Sequence, residues 1–151
     1  MKKRKGIVLA GGFGTRLHPL TKVTSKQLLP IYDKPMIFYP ISNLIMSGIK
    51  DVLIISTPEH LKQYNVLLGD GRNYGIKIQY KIQKHPNGIA EGLILAEKFL
   101  NGSDLSLILG DNIFYGKKIK NLFLKASKSK KNSIFVKEVP NPNNYGVIKQ
   151  K

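Results

Sequence analysis

A chain of 151 residues is long enough for one domain that buries roughly 68 to 70% of its unfolded surface. The absence of cysteine excludes a disulfide framework, a thiolate nucleophile and a cysteine metal site, and it suits a reducing cytoplasm. The formal charge of +16, from 25 Lys and Arg against 9 Asp and Glu, raises nucleic acid as a partner, but only Arg4, Arg16 and Arg72 are arginine and the lysines are scattered, so that reading is the weaker one.

In chain order, the basic residues 1–5 precede an apolar run of only four, 7–10, far short of the core of a signal peptide. That run predicts a buried strand, and it leads straight into Gly11, Gly12 and Gly14. Residues 36–47 predict a buried helix ended by Gly48, and 52–56 a second buried strand. Thr57, Pro58 and Glu59 supply an N-cap, a first-turn proline and an acid for a helix that runs to Leu68 and stops at Gly69-Asp70-Gly71. Residues 76–82 alternate as a strand, 83–88 form a loop, and a helix follows through Phe99, closed by Asn101-Gly102. A short apolar strand over 105–109 ends at Gly110-Asp111-Asn112. The lysine-rich stretch 117–129 carries Ile119, Leu122, Phe123 and Ala126 at helical spacing, which makes its lysines the solvated face of an amphipathic helix. Residues 133–139 predict a further strand, and a loop over 140–146 leads into another at Val147-Ile148.

Strand and helix therefore alternate about five times with short connections. The pattern predicts one α/β domain over 1–151, a doubly wound, mainly parallel sheet with helices on both faces. No run approaches the ~18 apolar residues of a membrane span, and a soluble, cytoplasmic protein is expected. In such sheets ligands bind outside the carboxyl ends of the strands, so the Gly11 loop, Gln83 with Gly88, and Asp111 should share one edge.

The glycine loop is the first candidate for chemistry. Glycines let backbone N–H groups close on an anion, and Arg16 and Lys26 stand downstream to complete the neutralisation. Two familiar patterns fail: a Walker A loop needs Lys and Ser/Thr directly after its last glycine, where Thr15 and Arg16 follow Gly14, and a dinucleotide fingerprint from Gly12 needs glycine where Leu17 stands. Spacing alone leaves a plain strand-to-loop turn and a phosphate site equally open. Asp111, likewise, is by itself either a turn cap or a single-carboxylate Mg²⁺ ligand. His18, His60 and His85 have no triad or metal-ligand spacing.

The strings GGFGTRLHPLT, SKQLLPI and DKPMI, in that order, resemble the signature of sugar-1-phosphate nucleotidylyltransferases, and KQLLPIYDKPMIFYP is most similar to the glucose-1-phosphate thymidylyltransferases among them. LILGDNIFYG matches a further segment of that family. The resemblance implies a Rossmann-like nucleotidyltransferase domain that transfers a deoxythymidylyl group from dTTP to glucose 1-phosphate, giving dTDP-glucose and pyrophosphate. It implies Mg²⁺ as cofactor, held by Asp111, and a homo-oligomer. By the same resemblance, Gly11, Gly12, Gly14 and Thr15 form the phosphate loop, Arg16 holds the departing pyrophosphate, and Lys26 lies between the α-phosphate and the sugar phosphate. Gln83 and Gly88 read the base, and Tyr145 and Gly146 lie beside the hexose.

The resemblance runs from Lys5 to Ile148 and stops short of the family's full length. The family's downstream Glu-Lys pair, its second metal-binding Asp and its C-terminal helices have no counterpart here. The expectation is a C-terminally truncated form, the nucleotide-binding portion, inactive by itself. A uridylyltransferase of the same family, or a remnant that binds nucleotide or nucleic acid without catalysis, are the alternatives.

Overall fold

A computed structural model describes residues 3–85 and 87–148 of the chain. In chain order, β1 (Lys5–Leu9) precedes a small antiparallel hairpin of β2 (Pro30–Ile31) and β3 (Lys34–Pro35), then α1 (Phe38–Met46), β4 (Asp51–Ser56), α2 (Pro58–Leu68) and β5 (Lys77–Ile82). There follow α3 (Ile89–Leu95), α4 (Glu97–Leu100), β6 (Leu105–Leu109) and α5 (Ile119–Lys128). The main sheet has the order β5-β4-β1-β6, and every pair in it is parallel. The chain moves outward from β1 through β4 to β5 and then crosses back to the far side of β1. That reversal opens a crevice at the carboxyl ends of β1 and β6.

Both faces of the sheet are covered, which is why its central strands read as continuous apolar runs. Alternate side chains of a strand point to opposite faces. Val8, Val52 and Ile54 accordingly meet Ile41 and Leu44 of α1 and Tyr64 and Leu68 of α2, while Ile7, Leu9, Leu53 and Ile55 meet Ala96 with Leu93 and Phe99 beyond it. Each such side chain fully buried contributes about 1.5–3 kcal/mol before the entropy of ordering is set against it. Gly6 lies in β1 because a Cβ there would stand 2.8 Å from Leu44 Cδ1, so the glycine lets α1 settle close to the sheet. On the same side, α5 packs against α1, and Phe123 joins Phe114 and Phe135 in an edge-to-face cluster.

The expected order of elements is present up to α5, with four differences. The helix predicted to continue through Phe99 breaks at Ala96 into α3 and α4. Thr57 occupies the N-cap of α2, but its hydroxyl pairs with His60 Nδ1 at 3.0 Å rather than capping a backbone N–H. The strand predicted over 133–139 is absent: the segment is irregular and mostly exposed, and no neighbouring strand offers it a ladder. Val147 and Ile148 are likewise exposed and outside any strand. Residues 1–2 of the basic start, Pro86 of the 83–88 loop and residues 149–151 lie outside the described residues.

β6 is an edge strand. Lys5 N–H donates to Asp104 O at 2.9 Å and Gly110 N–H to Leu9 O at 2.8 Å, so the even-numbered residues of β6 turn their main chain toward β1 and the odd-numbered ones turn it outward. Arg4 Nη1 covers Leu105 O at 3.4 Å, and Asn112 N–H covers Leu109 O at 3.1 Å. The N–H and C=O of Leu107 have no partner among the described residues.

Candidate functional site

The four parallel strands end on one edge, and the glycine loop leaves that edge directly from β1. Its shape rests on Gly14, whose φ of 59° falls in the left-handed region that a side chain disfavours. A Cβ at Gly14 would also stand 3.0 Å from Thr21 Cγ2 and 3.2 Å from Lys26 Cβ. Thr21 Oγ1 donates to Gly14 O at 2.8 Å and closes the loop on itself. Thr15 and Arg16 follow in a single exposed 3-10 turn, and Arg16 has no ion-pair partner among the described residues.

Lys26 returns the chain to the mouth of this loop. Its Nζ lies 2.9 Å from Asp111 Oδ2, with about a third of each side chain still exposed (33% and 35%). The two residues are 85 apart in sequence: Lys26 opens a 3-10 turn over Lys26–Leu28, and Asp111 follows β6. Asp111 stands immediately beyond β6, where Gly110 N–H bonds Leu9 O and a Cβ on Gly110 would lie 2.9 Å from Gln27 Cγ. Close approach at a glycine thus brings the ends of β1 and β6 and the Lys26 turn together. A cation and a carboxylate fixed side by side and open to solvent are chemically able to exchange each other for outside partners, the ammonium for an oxyanion and the carboxylate for a cation.

Beneath Lys26 lies a buried polar network that the sequence reading did not single out. Ser25 and Gln27 flank Lys26 and point inward: Ser25 Oγ donates to Gln27 Oε1 at 2.5 Å and meets Tyr64 OH at 2.6 Å. Tyr64 OH also lies 3.2 Å from Gln27 Oε1 and 3.4 Å from Ala10 O, which accepts from Ser56 Oγ at 2.9 Å. The network joins the start of the glycine loop, the Lys26 turn, the end of β4 and α2. Burial is the main cause that pushes the Tyr64 phenol up to about 12. The signal for it was the alternation Ser25, Lys26, Gln27, polar groups either side of an outward cation; Tyr64 read only as a core position of its helix.

Gln83 follows β5 and is buried, with its backbone N–H on Ser56 O at 2.9 Å. Its Nε2 donates to Glu91 Oε2 at 2.6 Å and lies 3.3 Å from Gly88 O, so the two base-reading candidates touch each other. Its Oε1 faces the glycine loop, 3.5 Å from where a Gly11 Cβ would stand. Glu91, the partner that holds this amide, was not anticipated. Tyr145 and Gly146 are not drawn into this group: Tyr145 is exposed, its N–H bonds Pro142 O at 2.9 Å, and no described contact links either residue to the glycine loop. A cleft of about 830 Å³ does open beside the outer edge of β6, between Leu107, Phe114 and Phe135, but none of the candidate site residues lines it.

Residues 5–151 match the family described as nucleotidyl transferase. The chain belongs to that family. Among nucleotidyl transferase relatives, it is 48% identical over 145 residues to the glucose-1-phosphate thymidylyltransferase of Neisseria meningitidis, which covers 95% of this chain and 50% of the relative. A crystal structure assigned as a glucose-1-phosphate thymidylyltransferase from Bacillus anthracis, in complex with a sucrose, is similar with a TM-score of 0.74 and 41% identity, covering 79% of this chain and 48% of that one. A UTP-bound UGPase from Acinetobacter baumannii shares the fold at 16% identity, with a TM-score of 0.71 over 85% of this chain and 54% of that one. The chain spans about half the length of the curated relatives it matches. Among the described residues, no helix is long and apolar enough to cross a membrane.

Proposed function

We propose that this chain carries the nucleotide site of a cytoplasmic glucose-1-phosphate thymidylyltransferase, the enzyme type that joins dTTP and glucose 1-phosphate into dTDP-glucose with release of pyrophosphate. The observation that carries the reading is the Lys26–Asp111 pair, 2.9 Å apart at the mouth of the glycine loop. The names and identities of the relatives support the same reading.

In this mechanism an oxygen of the sugar phosphate attacks the α-phosphorus of dTTP, the bond to the bridging oxygen breaks, and pyrophosphate leaves. The attacking oxygen is already anionic at neutral pH, so positioning and charge neutralisation are what the protein must supply. Gly11, Gly12, Gly14 and Thr15 cradle the phosphates with backbone N–H groups. Arg16, exposed and without an ion-pair partner among the described residues, takes the departing pyrophosphate, and Lys26 neutralises the phosphates between which the bond exchanges. Gln83 and Gly88 hold the base; Tyr145 and Gly146 are assigned to the hexose by the family resemblance alone, with no contact to the rest of the site among the described residues.

Mg²⁺ is the implied cofactor, and the donor chemistry fits it. Mg²⁺ is commonly held by one or two carboxylates together with substrate phosphates and waters, and Asp111 offers one carboxylate where those phosphates would lie. Among the described residues, no group of three His, Cys, Asp or Glu could hold a metal unaided, which fits an ion that enters with the triphosphate. When bound it would screen the triphosphate charge.

Titration of the chain with dTTP, with and without Mg²⁺, tests the site. Binding is expected to strengthen with Mg²⁺, to lose that dependence in Asp111→Asn, and to weaken about 10- to 100-fold in Lys26→Ala, the scale of one charge-assisted hydrogen bond. Failure of the unaltered chain to bind dTTP, or indifference to both substitutions, overturns the reading. Isotope exchange between pyrophosphate and dTTP, dependent on glucose 1-phosphate, is the corresponding assay of transfer in a full-length homologue.

A further inference from the structure

Gln83 is an amide, and an amide has two different ends. Which end it shows to a bound base decides which bases it accepts. Nothing in the glutamine itself fixes that choice, because its carbonyl and amino groups have nearly the same shape.

The surroundings fix it. Gln83 is buried, only 5% exposed, and one end of its amide faces two oxygens: Glu91 Oε2 at 2.6 Å and Gly88 O at 3.3 Å. A carboxylate and a backbone carbonyl can only accept, so the amino group must be turned toward them. The reverse orientation would set Oε1 against two acceptors in a desolvated position. Glu91 is itself restrained, since its other oxygen accepts from Asn87 Nδ2 at 3.4 Å. A glutamate at the third position of a helix commonly turns back toward the N-cap N–H. This one reaches sideways to Gln83 and Asn87 instead.

We propose that Glu91 is a positioning residue for base selection, holding the Gln83 amide so that only its oxygen faces the base; this rests on the reading of the crevice as a nucleotide site. Gln83 Oε1 accepts no hydrogen bond from the described residues and faces the glycine loop, 3.5 Å from the position of a Gly11 Cβ. Gly88 N–H, close by in the same loop, has no partner among the described residues. An acceptor beside a donor matches a base edge that presents N–H beside C=O, which among the pyrimidines is the imide edge of thymine or uracil. Cytosine and adenine present an amino group beside a bare ring nitrogen, so their edges do not match both groups at once. Most of the selection comes from Glu91, because with that carboxylate gone only the longer contact to Gly88 O, at 3.3 Å, still opposes an amide turned over to serve the opposite pattern.

Glu91→Gln keeps the shape and replaces an acceptor-only group with one that also donates. The unaltered chain and the variant would each be titrated with dTTP and dCTP in the presence of Mg²⁺, with urea unfolding run in parallel. The unaltered chain is expected to prefer dTTP, and Glu91→Gln to reduce that preference by about tenfold or more, on the argument that polar sites discriminate through groups left unpaired. A residue that merely braces the loop would lower the unfolding midpoint and leave the dTTP-to-dCTP ratio where it was. An unchanged ratio in Glu91→Gln overturns the role of Glu91 alone; if the unaltered chain binds neither triphosphate, the nucleotide site falls and this inference with it.

Discussion

The hydroxyl of Tyr64 lies in the interior within reach of Ser25 Oγ, Gln27 Oε1 and the Ala10 carbonyl, directly beneath the turn that presents Lys26. Tyr64→Phe would leave those oxygens without its donor, at a cost of about 1–2 kcal/mol in urea unfolding. Burial raises the phenol to about 12 in the folded protein, so between pH 10 and 12 the folded chain keeps a proton that the unfolded chain has lost. The sign follows from that difference: the stabilisation is whole below about pH 10 and falls by roughly 2–3 kcal/mol as the pH rises through 12. Unfolding midpoints measured across this range should drop in the unaltered protein and drop less in Tyr64→Phe; Tyr80, also raised to about 12 but more exposed, supplies a smaller share. The placing of the Gly11 loop, Gln83 and Asp111 at one edge of the sheet was legible in the sequence, because each follows directly on a strand. Tyr64 and Glu91 were not, because a tyrosine on the inner face of a helix and a glutamate in a first turn are ordinary until their partners are known.

At the scale of elements, the site depends on how closely the end of β6 meets the end of β1. Gly110 marks the joint: an added Cβ would lie 2.9 Å from Gln27 Cγ, 3.2 Å from Ala10 Cβ and 3.2 Å from Leu9 O. The Leu9 oxygen is backbone inside a parallel ladder, and Gln27 is anchored in the buried network, so neither can retreat cheaply. Gly110→Ala should therefore cost about 1–3 kcal/mol in urea unfolding, as overpacking does. It should also weaken dTTP binding by shifting Asp111 away from Lys26, and a variant as stable as the parent would show that the joint has slack. Strands β1, β4 and β6 were legible from short apolar runs, and β5 from the alternation that an edge strand carries. The strand expected over 133–139 was a misreading of the same signal: the pattern of Ile134, Phe135 and Val136 specifies apolar contacts, which Phe135 makes with Phe114 and Phe123, but it cannot supply the neighbouring strand that a ladder requires. The break at Ala96 went unseen because no glycine or proline stands there to announce it.

For the whole molecule, the charge of +16 is spread over a surface whose organisation differs between the two ends of the chain. The described lysines before β6 mostly lie within helices, strands or 3-10 turns, whereas Lys130, Lys131 and Lys137 lie in an exposed segment outside helix and sheet. Limiting trypsin should therefore cut first after one of these three, leaving a core that ends beyond α5; early cleavage at Lys50 or Lys77, beside the central strands, would contradict the described packing. The topology was the most legible property of all, since alternating strands and helices leave few other arrangements. The one-sided character of β6 was not, because no single strand reveals which of its flanks will be used.

That one-sidedness sets how fast the backbone of β6 should trade its protons with solvent. In amide hydrogen exchange, residues that donate to β1 are held by the sheet and should open only with it. Leu107, whose N–H points away, should exchange orders of magnitude faster than Ser106 and Ile108 on either side. A strand in which protection alternates residue by residue would be the kinetic imprint of an edge with one neighbour, and any molecule that bound along it would be detected first as the slowing of its outward-facing amides.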